Sequence, residues 1–402
     1  MTGSKNSIII KKTNQKSMKT ISILGSTGSI GQSTLDIVRR YPDKFKVFGL
    51  SAHRDVDSLL AQIAEFSPKV VCLTDLSACE LLKKQAPNSV KVVSGMEEID
   101  ETFVDPSVEL VMMAISGVAA LKPLISAIKA KKNIASANKE AVVSTGRLVL
   151  ELAEEYGAKI LPVDSEHSAI WQCLNDNEVK TVKKVHLTAS GGSFRNLSKD
   201  ELDKVTPEQA IHHPRWKMGK KITVDSGTLM NKGLELIEAM NLFNLKFEQI
   251  EVLVHPQSII HSMVEYIDGT IMAQLGTTDM RIPIQYALSY PEKLPTNVEP
   301  IDFPALASLT FEKPKFENFP CLELAFSAAK LGGTMPCVLN TANEVAVDAF
   351  LNHRIRFTDI PKIVEETTKL HQVKNDFSLD DIFATEKWAR EEAAKVVTEF
   401  AK

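Results

Sequence analysis

The sequence predicts an α/β protein in three units: a doubly wound parallel sheet, an α+β middle and a small helical tail. Three observations predict it. Short β-branched runs alternate with amphipathic stretches up to about residue 150, the signature of a parallel sheet with crossover helices. Between about residues 151 and 290 strands come in runs instead of alternating with helices, as in α+β units. Beyond residue 320 the apolar residues recur at helical spacing only, which gives the tail.

Residues 1–18 are polar and lysine-rich around Ile8-Ile9-Ile10. They lack the apolar stretch of a secretory signal and the arginines of a transit peptide, and read as a flexible extension. Runs at 21–24, 47–50, 70–73, 90–93, 110–114 and 133–136 mark the strands of the first unit, residues 19–150. A helix is expected from about 140 to 156, ending at Gly157. The run 159–163 then opens the second unit, 151–290, with strands at 181–187, 252–254, 259–266 and 270–275 and a long helix near 229–243. Six prolines between 291 and 320 make that stretch a linker without regular structure. In the last unit, 321–402, helices are expected at 322–331, 340–351, 361–370 and 385–400, the last with Ala389, Ala393, Val396, Val397 and Phe400 on one stripe.

Composition sets the class. With 402 residues, 44% apolar and 24% charged, the chain has material for more than one globular core and none of the bias of a disordered or collagenous protein. A net charge of −4 gives no overall footprint for nucleic acid or an anionic membrane. The apolar run 110–121 contains Ser116 and Gly117 and is too short to cross a bilayer. Five cysteines form no CxxC pair and are odd in number, which fits a reducing, cytoplasmic setting.

Gly25-Ser26-Thr27-Gly28-Ser29-Ile30-Gly31 follows the first strand and opens a helix through Leu35, Ile37 and Val38. Glycines there let a pyrophosphate approach backbone amides at a helix N-terminus, as in a Rossmann-like dinucleotide site. The spacing is GxxGxxG, and a plain strand-to-helix turn is the alternative. After the second strand the chain reads Ser51-Ala52-His53-Arg54, with no acid to hold a ribose 2′-hydroxyl. Imidazole and guanidinium suit a 2′-phosphate, so NADP(H) is preferred over NAD(H); an exposed polar turn is the bland reading.

Asp164-Ser165-Glu166 follows the run 159–163. Two carboxylates presented together need a divalent cation to offset their repulsion, and all-oxygen ligands select Mg²⁺ or Mn²⁺ over Zn²⁺. The same residues also read as a helix N-cap with an acid in the first turn. In residues 225–235, Asn231, Lys232 and Glu235 share an arc of about 100° at helical pitch, while Met230, Leu234 and Ile237 take another face. Ser226, Asn231 and Lys232 offer donors to a phosphate; a solvated face is the alternative. Ser190-Gly191-Gly192 provides hydroxyl and amide groups for an anion. Residues 213–218, with His213, Arg215 and Trp216 and no periodicity, read as a lid, or as a packed surface loop. His255 and His261 lack zinc-hydrolase spacing and read as structural, and Cys173 has no activating neighbour.

These motifs, with Ser136-Ala137-Asn138-Lys139-Glu140, His255-Pro256-Gln257-Ser258 and Thr341-Ala342-Asn343-Glu344, closely resemble those of the 1-deoxy-D-xylulose 5-phosphate reductoisomerase family from about Thr20 to the C-terminus. The resemblance implies rearrangement of the substrate's carbon skeleton and its reduction by NADPH to 2-C-methyl-D-erythritol 4-phosphate, for isoprenoid synthesis, in a homodimer. It implies NADPH contacts from Thr27, Gly28, Ser29, Ile30, Asn138, Glu140 and Gly219. His53, Arg54 and Asp55 stand near the adenosine phosphate, where many relatives read Gly-Lys-Asn. Asp164, Glu166 and Glu235 are implied as ligands of Mg²⁺ or Mn²⁺. Lys139, Ser165 and Glu166 would hold the carbonyl end of the sugar, and Ser190, His213, Ser226, Asn231 and Lys232 its hydroxyls and phosphate under a cover supplied by Trp216. A simple NADP-dependent aldehyde reductase would not need three converging carboxylates, and a non-enzymatic NADPH sensor would show no metal-dependent turnover.

Overall fold

The computed structural model describes residues 18–401 apart from Asp176 and Lys217; residues 1–17 of the extension expected at 1–18 lie outside them. Seven strands, β1 (Lys19–Leu24), β2 (Phe45–Ala52), β3 (Val70–Leu73), β4 (Lys91–Ser94), β5 (Leu110–Met113), β6 (Asn133–Ser136) and β7 (Lys159–Pro162), form one sheet in the order β4-β3-β2-β1-β5-β6-β7. Every pairing is parallel, and the inner strands β3 and β5 are wholly buried, as in a sheet covered by helices on both faces, while the edge strands β4 and β7 are only partly so. The strand order reverses at β1, flanked by β2 on one side and β5 on the other. A ligand crevice opens at the carboxyl ends of strands at such a reversal.

The run expected to open the second unit is instead the seventh strand of this sheet, with Ile160 opposite Ile134. The helix expected over 140–156 is two, Lys139–Thr145 and Leu148–Tyr156, because Gly146 takes φ +57° between them, a conformation that turns the chain.

A second sheet comprises β8 (Val182–Ala189), β9 (Ile250–Val254), β10 (Ile260–Tyr266) and β11 (Ile271–Leu275), in the order β11-β10-β8-β9. β8 and β9 are parallel, and β10 is antiparallel to both its neighbours. Between the strands lie the helices Ser165–Leu174, Lys220–Thr228 and Met230–Phe243. The last two are separated by Leu229 at φ +60°, so residues 225–235 do not share a single helix. Gly233 is where the Met230–Phe243 helix meets the Pro320–Leu331 helix; a Cβ there would sit 2.2 Å from that of Ala325.

The tail helices Pro320–Leu331, Met335–Leu351, Ile360–Lys369 and Leu379–Phe400 share one apolar core with the second sheet. Val185, Leu234, Leu322, Val338 and Ala393 all belong to it. The proline-rich stretch is not wholly irregular: it holds a short helix, Phe303–Leu306, and Glu312 bridges to Val254. Just before it, an unexpected helix, Arg281–Ser289, returns to the first sheet. Its Ile284, Ala287 and Leu288 join the core of Ile21, Leu35 and Val38, and the Lys19 ammonium donates to the Leu288 carbonyl at 2.6 Å. Among the described residues no helix is long and apolar enough to cross a membrane.

Candidate active site

A cleft of about 380 Å³ runs from the carboxyl end of β1 to the Met230–Phe243 helix. At one end the chain leaves β1 through Gly25, at φ +90° and packed so closely on the Ala114 carbonyl that a Cβ would lie 2.6 Å from it. Gly31 is similarly constrained, its absent Cβ 2.3 Å from the Gly25 carbonyl. The helix Ser29–Arg40 begins at Gly28, which offers no side-chain cap. Its first amides therefore have no capping acceptor and face the cleft, the arrangement that binds a pyrophosphate.

Gly28, Ser29 and Ile30 line the cleft opposite Glu140 and Gly219. Thr27 is adjacent and its carbonyl accepts from the Gln32 amide at 2.9 Å. Asn138 does not line the cleft. It accepts from the Ala141 amide and donates to the carbonyls of Ile115 and Gly117, all at 2.8 Å, so it braces the loop that does. His53, Arg54 and Asp55 also lie outside the cleft, exposed beyond β2. Arg54 donates to His53 Nε2 at 3.1 Å, which leaves His53 Nδ1 protonated towards Thr74 Oγ1 at 2.8 Å. Asp55 caps the next helix by accepting from the Ser58 amide.

At the other end, β7 delivers Asp164 to the N-cap of the Ser165–Leu174 helix, but its carboxylate makes no capping bond. It turns to Glu166 and Glu235 instead, the three offering oxygens all within 4.8 Å of one another. Two lysines neutralise them. Lys139 Nζ lies 2.5 Å from Asp164 and 3.1 Å from Glu235, and donates to Asn231 Oδ1 at 2.8 Å. Lys232 pairs with Glu166 at 2.7 Å and with Glu235. Asn231 donates a further bond to Glu235.

Burial alone would lower the Lys139 pKa, but Asp164, Glu235 and Glu238 outweigh it and hold the ammonium well above the usual range. Burial would raise Asp164, but Lys139 and His167 keep it below. Glu235 remains above the usual carboxylate range, raised by burial and then by Glu166, despite both lysines. That uncompensated charge on a three-carboxylate, all-oxygen set is what a hard divalent cation relieves.

The walls carry neutral donors. Ser190 follows β8, and Gly192 sits so close to the end of the Lys220–Thr228 helix that a Cβ would meet the Ser226 carbonyl at 2.3 Å. His213 Nδ1 accepts from the amides of Arg215 and Trp216, at 3.1 and 2.9 Å, so the ring proton is on Nε2, directed at Ser190 Oγ 3.0 Å away. Burial lowers this imidazole to about 4, and it is neutral. Trp216 approaches His261 with ring centroids 5.7 Å apart.

His255 fixes its own loop, donating from Nδ1 to the Thr310 carbonyl and accepting from the Ile259 amide at Nε2. Burial pushes the Cys173 thiol up to about 11, away from nucleophilic use. Lys139, Ser165, Glu166, Ser190, His213, Trp216, Ser226, Asn231, Lys232 and Glu235 thus share one cleft with the glycine loop.

Sequence reasoning missed two groups. His167 Nε2 donates to the Glu235 carbonyl at 2.9 Å, and its Nδ1 lies 3.3 Å from Glu238, both side chains buried. Glu238 stands one helical turn beyond Glu235, a spacing that could have disclosed it. The other is Lys221, between Glu140 and Asp225. Its helix carries no apolar stripe to reveal it.

A parallel sheet with a glycine loop at its strand reversal, and a carboxylate cluster in the same cleft, define a dinucleotide-dependent, metal-using enzyme class. Family models described as 1-deoxy-D-xylulose 5-phosphate reductoisomerase and its C-terminal domain match residues 21–146 and 160–243, and a further DXP reductoisomerase C-terminal domain matches 275–392. The chain is 52% identical to the 1-deoxy-D-xylulose 5-phosphate reductoisomerase of Prosthecochloris aestuarii, over 94% of this chain and 99% of that one. It is 50% identical to that of Thermoanaerobacter pseudethanolicus, over 94% and 99%. The solved reductoisomerase of Zymomonas mobilis in complex with NADPH superposes with a TM-score of 0.88 at 45% identity, covering 94% of this chain and 99% of that one. Another, in complex with NADPH, fosmidomycin and magnesium, gives 0.89 at 41%, covering 95% and 98%. The chain belongs to the 1-deoxy-D-xylulose 5-phosphate reductoisomerase family.

Proposed function

We propose that this chain is an NADPH-dependent oxidoreductase that rearranges 1-deoxy-D-xylulose 5-phosphate and reduces it to 2-C-methyl-D-erythritol 4-phosphate, a step of isoprenoid precursor synthesis. One observation carries the reading: the Asp164, Glu166 and Glu235 carboxylates and two buried lysines share a cleft with an uncapped, glycine-lined helix N-terminus. A simple reductase needs only the second of these features.

The three carboxylates would hold Mg²⁺ or Mn²⁺, which when bound supplies Lewis-acid polarisation of the substrate's carbonyl and adjacent hydroxyl. Lys139 and Lys232, now spent on the carboxylates, become available to substrate oxygens once a cation balances those acids. Ser190, Ser226, Asn231 and Lys232 supply donors for the phosphate and remaining hydroxyls. His213, neutral and oriented by two backbone amides, presents its Nε2 proton on the same wall. Trp216 covers the sugar and excludes water while the carbon skeleton is cut and rejoined. The resulting aldehyde takes hydride from NADPH at carbon and a proton at oxygen, giving an alcohol. Gly28, Ser29 and Ile30 orient the dinucleotide for that transfer, with Arg54 and His53 at the open end of β2 for a 2′-phosphate.

Two features support a homodimer. β11 is the outer strand of the second sheet, and Ile271 and Met272, on opposite faces of it, are 53% and 49% exposed. An apolar edge strand bare on both sides favours burial against a second copy. Five free, buried cysteines accord with a reducing cytoplasm.

The test is NADPH oxidation with 1-deoxy-D-xylulose 5-phosphate. Turnover should need Mg²⁺ or Mn²⁺, vanish in chelator, and favour NADPH over NADH. Turnover in chelator would overturn the metal assignment, and consumption of NADPH without skeletal rearrangement would leave a simple reductase.

A further inference from the structure

Lys221 lies at the meeting point of the three units. Its ammonium is 3.0 Å from Glu140 Oε1, on the helix that follows β6 of the dinucleotide sheet, and 2.8 Å from Asp225 Oδ2, one turn along its own helix in the middle unit. The other Asp225 oxygen accepts from Asn343 at 2.8 Å, on the Met335–Leu351 helix of the tail. Asp225 is 1% exposed and immediately precedes Ser226, which lies in the same Lys220–Thr228 helix and lines the cleft with Asn231 and Lys232. Glu140 lines the same cleft as Gly28, Ser29 and Ile30. One ammonium therefore ties Glu140, on the cofactor half, to the helix end that carries Ser226 on the substrate half.

Burying two carboxylates around one lysine costs desolvation that an apolar contact would avoid. Stability alone does not account for such a triad across a cleft. We infer that Lys221 is a positioning residue that couples the two halves: a dinucleotide resting against Glu140 fixes Lys221, Lys221 fixes Asp225, and the helix end bearing Ser226 is set for the phosphate-bearing ligand. The reverse influence must be equal, since coupling between two binding sites is reciprocal. This inference rests on the NADPH and phosphosugar reading of the cleft and adds the element that makes the two sites one.

The experiment measures fosmidomycin binding by calorimetry in Mg²⁺, with and without NADPH, and NADPH binding with and without fosmidomycin. For the wild-type protein the two ratios should agree and lie in the range of about 5- to 150-fold. Lys221→Met and Glu140→Gln should bring the ratio to within about twofold of one, while Lys221→Arg, which keeps the charge, should retain most of it. Glu140→Gln leaves the Lys221–Asp225 pair in place, so it decides the matter if Lys221→Met does not fold by circular dichroism. Variants that bind each ligand more weakly with an unchanged ratio would make the triad merely structural and overturn the inference, as would a wild-type ratio of one. Failure of the wild-type protein to bind NADPH at all would instead overturn the cofactor reading beneath it.

Discussion

Glu235 collects more partners than any other acid in the cleft: Lys139, Lys232, Asn231 and, through its carbonyl, His167. Burial and Glu166 raise its pKa despite Lys139 and Lys232, so it is the acid whose charge a bound cation would most relieve. Glu235→Gln should cost several kcal/mol of transition-state stabilisation with NADPH affinity nearly unchanged, measured as kcat/KM beside a cofactor titration. Full turnover by that variant would remove Glu235 from the metal site. A different residue sets an acid limit. Burial holds the His261 imidazole down to about 4 against an ordinary 6.5. Between those values the unfolded chain binds the proton and the folded one does not, so stability falls as pH drops through this window. At about 1.4 kcal/mol per pKa unit, the loss amounts to a few kcal/mol, complete near pH 4. His261→Gln should flatten the urea-unfolding free energy over that range, and an unchanged slope would refute the account. The acids were legible because two motifs name them; His167 and Glu238 were not, because their meeting behind Asp164 depends on how two helices cross.

At the scale of elements, the described residues of segment 212–219 carry neither helix nor strand before the Lys220–Thr228 helix. The segment is held by Ser193, whose hydroxyl donates to the His212 carbonyl, by the His213–Ser190 hydrogen bond, and by Thr278, which donates to the Arg215 carbonyl. Its described residues lack the hydrogen-bonded ladder of helix or strand, which places it towards the low-stability end of the molecule. Amide exchange over residues 210–219 should slow when fosmidomycin and Mg²⁺ bind, and Trp216→Ala should weaken that binding with the melting temperature unchanged. Identical exchange in both states would make the segment a static loop. The lack of periodicity in this segment was readable. The helix after it was not: of its buried residues Thr223, Val224, Asp225, Ser226, Gly227 and Thr228, Val224 alone is a large apolar side chain, so no apolar stripe marks it. Arg281–Ser289 does carry Ile284, Ala287 and Leu288 at helical spacing, but Pro283 masks it, although proline is tolerated in a first turn.

On the scale of the whole molecule, the alternation of strands and helices foretold the parallel sheet, because each apolar run had to be buried on both faces. What no local pattern could foretell is which sheet claims β7, since its apolar residues would suit either. Assembly of copies is the remaining large-scale prediction. Met272→Lys would place a charge on the bare face of β11 and should shift the protein from dimer to monomer in sedimentation velocity. A variant that sediments like the wild type would move the interface elsewhere.

The returning helix Arg281–Ser289 also governs how the chain is born. Because Ile284, Ala287 and Leu288 complete the core around Ile21, Leu35 and Val38, the first sheet emerges from the ribosome well before its last layer does. At about 5–20 residues per second, the wait from β7 to Leu288 is on the order of ten seconds. During that interval apolar surface of the nascent domain stands uncovered and must be shielded by chaperones or tolerated by slow aggregation. Vectorial synthesis therefore cannot finish the dinucleotide domain first, and that half of the enzyme matures only as the catalytic half is being made.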